Sequence, residues 1–214
     1  MEKNLNFKIK SFSSFNNEIK LIWHNLTNDS NTTVFQTYDI NKHWYETIGS
    51  KLKNQELSIN VFFKKNKVVG IAPFFIYQNN FGVKYLTING FNFFDFLDFL
   101  VLRDYRNSTF YTFLIKYVNN KFKDVDILSF KNFNNLLINK AFRSYKYQES
   151  LHIKLENSYQ DFMNNLKPRF RRDSERQLRR IKLLGNFSYN VVENKKQYQK
   201  FIDHLIKFKR KRFK

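Results

Sequence analysis

The sequence predicts a mixed α/β (α+β) fold, with a mainly antiparallel sheet flanked by helices and a C-terminal helical extension. Three observations carry that expectation. Runs with a two-residue apolar period alternate along the chain with runs of helical period. Three consecutive strand-like runs, Glu56 to Lys64, Val68 to Tyr77 and Val83 to Ile88, are joined by short polar turns, the signature of an antiparallel meander. Aromatic residues make up 19% of the 214 residues and hydrophobic residues 42%, enough for a sizeable core and incompatible with a disordered chain.

Taken in order, Asn4 to Ser11 alternates Leu5, Phe7 and Ile9 against polar neighbours and reads as a half-buried strand. Ser13 or Ser14 is placed to cap a helix through about Leu26, with Phe15, Ile19, Ile22, Trp23 and Leu26 on one face. After a polar loop, Val34 to Gln36 reads as a short extended piece. Asp39 then caps a second helix that carries Trp44 and Ile48 and ends near Gly49. The meander follows, then an aromatic stretch, FNFFDFLDFLVL, punctuated by acids. Asn107 or Ser108 caps a helix through about Val118, and Val125 to Phe130 reads as a strand. Further on the pattern predicts a helix at Phe133 to Phe142, an extended run at Tyr145 to Leu155, a helix at Phe162 to Leu184 around Pro168, a strand at Phe187 to Val192 and a helix at Gln197 to Lys209.

Charge narrows the chemistry. Lys and Arg number 38 against 18 acids, a formal net charge of +20, which favours anionic partners. Asn, Lys, Phe and Ile are abundant, the residues of A/T-rich codons, so part of the excess is attributable to codon usage. Residues 161–214 hold 17 Lys/Arg and 5 Asp/Glu, a net of +12, and the other 160 residues hold only +8. The compositional boundary therefore falls around residues 156–168. With no cysteine, disulfides, thiolate metal sites, iron–sulfur clusters and a thiol nucleophile are excluded. His24, His43, His152 and His204 stand apart without metal-ligand spacing, so no metal is expected. Glycines 49, 70, 82, 90 and 185 form neither a dinucleotide-binding nor a Walker pattern. No run approaches the ~20 apolar residues of a membrane span. MEKNLNFKIK places charges where a signal peptide needs apolar residues, so the expected location is cytoplasmic, with a membrane-peripheral position also open.

Two constellations carry candidate chemistry. In Arg169 to Lys182, RFRRDSERQLRRIK, the spacings of three and four put Arg169, Arg172, Arg176 and Arg179 or Arg180 on one basic stripe. Such a stripe meets phosphates of coenzyme A, nucleic acid or lipid headgroups, because guanidinium binds phosphate bidentately; a solvated helix partly compensated by Asp173 and Glu175 is the other reading. Asp95 and Asp98, in the aromatic stretch, either line a cleft as catalytic carboxylates or guard a strand edge.

Several stretches in sequence order, VFQTYDINKHWYETIG, KKNKVVGIAPFFIY, NGFNFFDFLDFLVL, DILSFKNF and YQDFMNNLKPRFRRDSERQLRRIKLLGNFSYNVV, resemble the CelD/BcsL-type acetyltransferases, a FemAB-like branch of the GNAT superfamily. The last is the most specific: a short helix, Lys-Pro, an Arg-rich helix ending at Gly185, then a strand. The resemblance implies two GNAT-like halves, the first at residues 1–155 and the second opening at 156–214, with acyl-donor binding in the second. It implies acetyl-CoA or another acyl-CoA as donor, an amine or hydroxyl acceptor from a cell-envelope or polysaccharide precursor, and phosphate contacts from Arg172, Arg176, Arg179 and Arg180. The family's glycine-bearing pyrophosphate loop corresponds here to RDYRNSTF, with Arg103 and Arg106 but no glycine. The resemblance also implies a chain truncated after the start of its second half, with weak turnover by itself and a missing half or neighbouring chain as partner. A non-enzymatic module that binds nucleic acid or an anionic membrane is the alternative.

Overall fold

The computed structural model describes residues 7–28, 32–132, 153 and 155–213. The chain divides into two compact units, residues 1–147 and 148–214.

In the first unit, β1 (Lys8–Phe12) leads to α1 (Asn17–Asn28) and α2 (Tyr38–Thr47). The meander β2 (Glu56–Lys64), β3 (Lys67–Gln78) and β4 (Lys84–Ile88) follows. A short β5 (Leu100–Val101), α3 (Ser108–Lys121) and β6 (Ile127–Leu128) come next. The strands form one sheet in the order β1-β2-β3-β4-β6, and β5 pairs with β3. Among the described residues the pairings are antiparallel except β4 with β6, where Tyr85 faces Ile127 and Leu86 faces Leu128 in parallel register. A parallel neighbour requires a crossover, and α3 supplies it.

Alternation along the meander sends side chains to two faces. On one, Phe62 packs edge-on against Phe110 and Tyr117 of α3. On the other, Phe75 meets Trp44 and Tyr45 of α2. Ile19, Trp23 and Leu26, four and three residues apart, are the buried stripe of α1. The sheet thus carries a helical layer on each face, and each buried large apolar side chain contributes about 1.5–3 kcal/mol.

The meander matches the sequence expectation within a residue and α1 and α3 within about three, because period and turn residues specify them. Elsewhere local chemistry intervenes. Asn16, not Ser13 or Ser14, caps α1: its side-chain oxygen accepts from the Ile19 N–H at 3.0 Å. Val34 to Gln36 is a 3₁₀ turn, closed by the Thr33 N–H donating to Gln36 Oε1 and the Gln36 N–H to the Thr33 carbonyl, both at 3.0 Å. Thr37 takes the N-cap position of α2, which puts Asp39 in its first turn. Asn107 caps α3, as expected, accepting from the Phe110 N–H at 3.1 Å.

The second unit holds α4 (Tyr159–Asn165), α5 (Pro168–Leu183) and α6 (Lys195–Arg212). The single helix expected at Phe162 to Leu184 is two: Pro168 starts α5 because its missing N–H costs nothing at the first helical position, and Lys167 before it is held extended. Phe187 to Val192 belongs to no strand. Met163 is buried, and no side chain of α5 or α6 is. The helix at Phe133 to Phe142 and most of the run at Tyr145 to Leu155 lie outside the described residues.

Candidate functional site

The crossover fold makes the carboxyl ends of the parallel pair β4 and β6 the natural place for a site, since strand ends leave backbone groups without ladder partners. Here the aromatic stretch occupies that place. Asn89 continues from β4 and donates its N–H to the Pro73 carbonyl at 2.8 Å. Gly90, at φ +92°, turns the chain, and Phe91, Phe94, Leu97 and Phe99 are buried beyond it. The Leu97 N–H donates to the Asn132 carbonyl at 3.1 Å, and Asn132 Nδ2 to the Phe94 carbonyl at 3.0 Å, which ties this cover to the segment after β6.

Behind the cover lies a polar cluster that the sequence reading did not single out. Asn89 Nδ2 donates to the Asn41 carbonyl at 2.9 Å and to Asn41 Oδ1 at 3.0 Å. Asn41 Nδ2 donates in turn to the carbonyls of Phe35 and Thr37, and Gln36 Nε2 to that of Phe99 at 3.1 Å. Asn41, Asn89 and Gln36 are all buried, and Asn89 Oδ1 has no hydrogen-bond partner among the described residues. They share with Asp98 and Trp23 a cavity of about 10 Å³, the size of one water molecule and far too small for an acyl group. In a chain crowded with asparagine, nothing in the pattern separates these two from the solvated ones.

Asp98 faces Arg106 in an ion pair, its side chain 13% exposed and that of Arg106 32%. Its other oxygen accepts the Phe99 N–H at 2.7 Å. Asp95 is exposed. The structure therefore brings Asp98 together with Arg106, one of the two arginines of the loop before α3, and leaves Asp95 at the surface. Replacing Asp98 with alanine is expected to cost the first unit about 2 kcal/mol, because a partly buried guanidinium and an amide lose their acceptor; the isosteric Asp98→Asn is expected to cost about half that. Denaturant melts of both variants check this, and an unchanged midpoint for Asp98→Ala overturns it.

In the first turn of α3 the Phe110 N–H is taken up by the Asn107 side chain, so one of the amides that a glycine-bearing loop would offer to a pyrophosphate is here in internal use. At the other end of α3, Tyr117 OH donates to Asn60 Oδ1 at 2.7 Å, and Lys121 Nζ donates to Asn60 Oδ1 and Ser11 Oγ, both at 2.8 Å. This network fastens the helix to β1 and β2. Burial, with Asp39 and Glu46 adding, raises the Tyr38 phenol above its ordinary value; burial and then Tyr85 do the same for Tyr77. Both are neutral at physiological pH, and the Tyr38 OH donates to the Asn16 carbonyl at 3.3 Å.

In the second unit, Arg172, Arg176, Arg179 and Arg180 are all exposed on α5. At 3.6 residues per turn they fall within an arc of about 100°. Arg176 also pairs with Asp173, three residues before it. The face can meet phosphate oxygens with several guanidinium groups at once. Among the described residues no cluster of three or more His, Cys, Asp or Glu is disposed to hold a metal ion.

No family model and no curated protein matches the sequence. Among solved structures, the chain is similar to the ribosomal-protein-alanine N-acetyltransferase from Brucella melitensis biovar Abortus 2308, at 11% identity and a TM-score of 0.43 over 70% of this chain and 99% of that one. It is similar to a predicted acetyltransferase with acetyl-CoA from Clostridium acetobutylicum, at 10% identity and a TM-score of 0.43 over 72% and 99% of the two chains. For the glucosamine-6-phosphate N-acetyltransferase from Arabidopsis thaliana the values are 14%, 0.39, 70% and 99%.

Proposed function

We propose that this protein is an acyltransferase of the GNAT superfamily, of the CelD/BcsL type, which moves an acetyl or other acyl group from coenzyme A to an amine or hydroxyl of a cell-envelope or polysaccharide precursor. One observation carries the reading: a strand, two helices, an antiparallel meander and a helical crossover that returns a strand parallel to the last strand of the meander, in that order. The motifs of the sequence support it from a separate direction.

In the transfer, the acceptor nitrogen or oxygen attacks the thioester carbonyl, the C–S bond breaks, and the thiol leaves with the proton the acceptor gives up. The work of the protein is to hold donor and acceptor at reacting distance. The filled end of β4 and β6 and the Asn107 cap of α3 argue against donor binding among the described residues of the first unit. The donor's phosphates belong on α5, whose Arg172, Arg176, Arg179 and Arg180 open the second GNAT-like half.

Titrating the protein with coenzyme A in a calorimeter tests this. Each charge-assisted phosphate contact contributes roughly 1.5 kcal/mol, or about tenfold in Kd. The paired substitution Arg172→Ala with Arg179→Ala is therefore expected to weaken binding by about a hundredfold. Undetectable binding to the unaltered protein, or equal affinity in the variant, overturns the assignment. Release of free thiol from acetyl-CoA on adding amino-sugar acceptors tests the transfer itself.

A further inference from the structure

A different helix carries a surface distinct from the arginine face of α5. Over Lys195–Arg212, α6 has eight Lys or Arg residues and a single acid, Asp203. On a 3.6-residue helix, Tyr198, Phe201, Ile202, Leu205, Ile206 and Phe208 share an arc of about 160°, and Lys196, Lys200, Lys207, Arg210 and Lys211 occupy the opposite side. None of those six apolar residues is buried: their exposures run from 42% for Tyr198 to 68% for Phe208. Lys209 and Arg212 lie within or beside the apolar arc, where long aliphatic stems rest on apolar surface while their charged ends reach outward.

We propose that α6 is a membrane-surface helix that lies in the headgroup region of an anionic bilayer, its apolar arc among the upper acyl chains and its cations on lipid phosphates. Charge complementarity and the apolar arc together select this occupant. A second copy of the chain would set a net +7 helix against another net +7 helix. A nucleic acid would use the cations and leave six large apolar side chains in water. A bilayer with anionic lipid satisfies both faces, the pattern of helices that lie in a membrane interface. No helix among the described residues is long and apolar enough to cross a membrane, so the attachment is peripheral.

The test is co-sedimentation of the 214-residue chain with phosphatidylcholine vesicles containing about 30% phosphatidylserine, against vesicles of phosphatidylcholine alone. Binding is expected to the first and not to the second. The triple variant K207E/R210E/K211E is expected to weaken binding by at least about a hundredfold, at roughly fivefold for each cation near the surface. The variant F201S/L205S, which changes only exposed side chains, is expected to weaken it comparably, with helicity unchanged by circular dichroism. Binding to anionic vesicles that neither variant alters overturns the proposal. So does its absence, whether or not the protein binds single-stranded DNA with an affinity untouched by F201S/L205S. A dimer that F201S/L205S converts to monomer, without vesicle binding, overturns it in favour of a second copy. All these substitutions leave α5 intact, so the coenzyme A titration reports separately on the transferase reading.

Discussion

Replacing Trp23 with alanine is expected to lower the unfolding free energy of the first unit by about 3–5 kcal/mol. The side chain is 1% exposed, the largest of the fully buried residues, and lies between Phe15 and Tyr38 at ring separations of 6.1 and 5.9 Å. Its removal takes away the middle of the α1 stripe and leaves a void that the sheet beneath cannot collapse to fill. It also strands a polar atom. Trp23 Nε1 donates to the Gln36 carbonyl at 2.8 Å, and Gln36 sits in the buried cluster with Asn41 and Asn89. The two costs separate experimentally. Trp23→Phe keeps most of the volume and loses only the donor, so it is expected to cost about 1–2 kcal/mol. The chain has two tryptophans, so Trp44 remains as the fluorescence reporter in both variants. A loss below about 1 kcal/mol for the alanine variant would mean that α1 does not dock on the sheet through this residue.

The same residue marks how far the sequence was legible. The stripe Ile19, Trp23, Leu26 is a matter of period, and period is written in the order of residues; so is the alternation of β2 and β3, whose ends fall within a residue of expectation. The partner of Trp23 Nε1 is not written there. Gln36 is buried because Thr33 and Gln36 close a 3₁₀ turn beneath α1, a reciprocal exchange of hydrogen bonds whose competitor, an extended Val-Phe-Gln, has the better strand propensity. Likewise the choice among Ser13, Ser14 and Asn16 as cap depends on where β1 releases the chain. The candidate site shows the same division. Arg172, Arg176, Arg179 and Arg180 share a face because helical spacing requires it. Asp98 was visible as an acid among aromatics, but its partner Arg106 lies eight residues on, beyond β5, at no spacing that a helix or a hairpin would pair. Asn41 and Asn89, 48 residues apart, carry no local signal of any kind.

Substituting Gly90 with alanine is expected to destabilise the first unit by about 3–5 kcal/mol, through two causes that can be divided. Gly90 sits at φ +92°, where an L side chain is strained by roughly 1–3 kcal/mol. A Cβ there would also lie 2.1 Å from two carbons of the Phe94 ring, a separation no pair of carbons tolerates. The ring cannot swing away freely: Phe94 is buried against Phe35 at 5.3 Å and near Trp44 at 6.5 Å. Relief must come from displacing the turn itself, whose Phe93 and Phe94 N–H groups both donate to the Gly90 carbonyl at 3.1 Å. Overpacking of this kind costs about 1–3 kcal/mol beyond the backbone strain. In the double variant Gly90→Ala, Phe94→Ala the ring is gone and only the strain remains, so the two substitutions together are expected to cost about 1–3 kcal/mol less than the sum of each alone. Additivity would place the whole effect in the backbone. Because this turn begins the aromatic segment that fills the end of β4 and β6, the alanine variant is also expected to expose that segment. Binding of a hydrophobic dye by Gly90→Ala and not by the unaltered protein, under conditions where far-ultraviolet circular dichroism shows the sheet intact, is the expected sign. A variant that melts with a full loss of midpoint yet binds no dye would mean that the cover holds its place by Phe91, Leu97 and Phe99 without the turn.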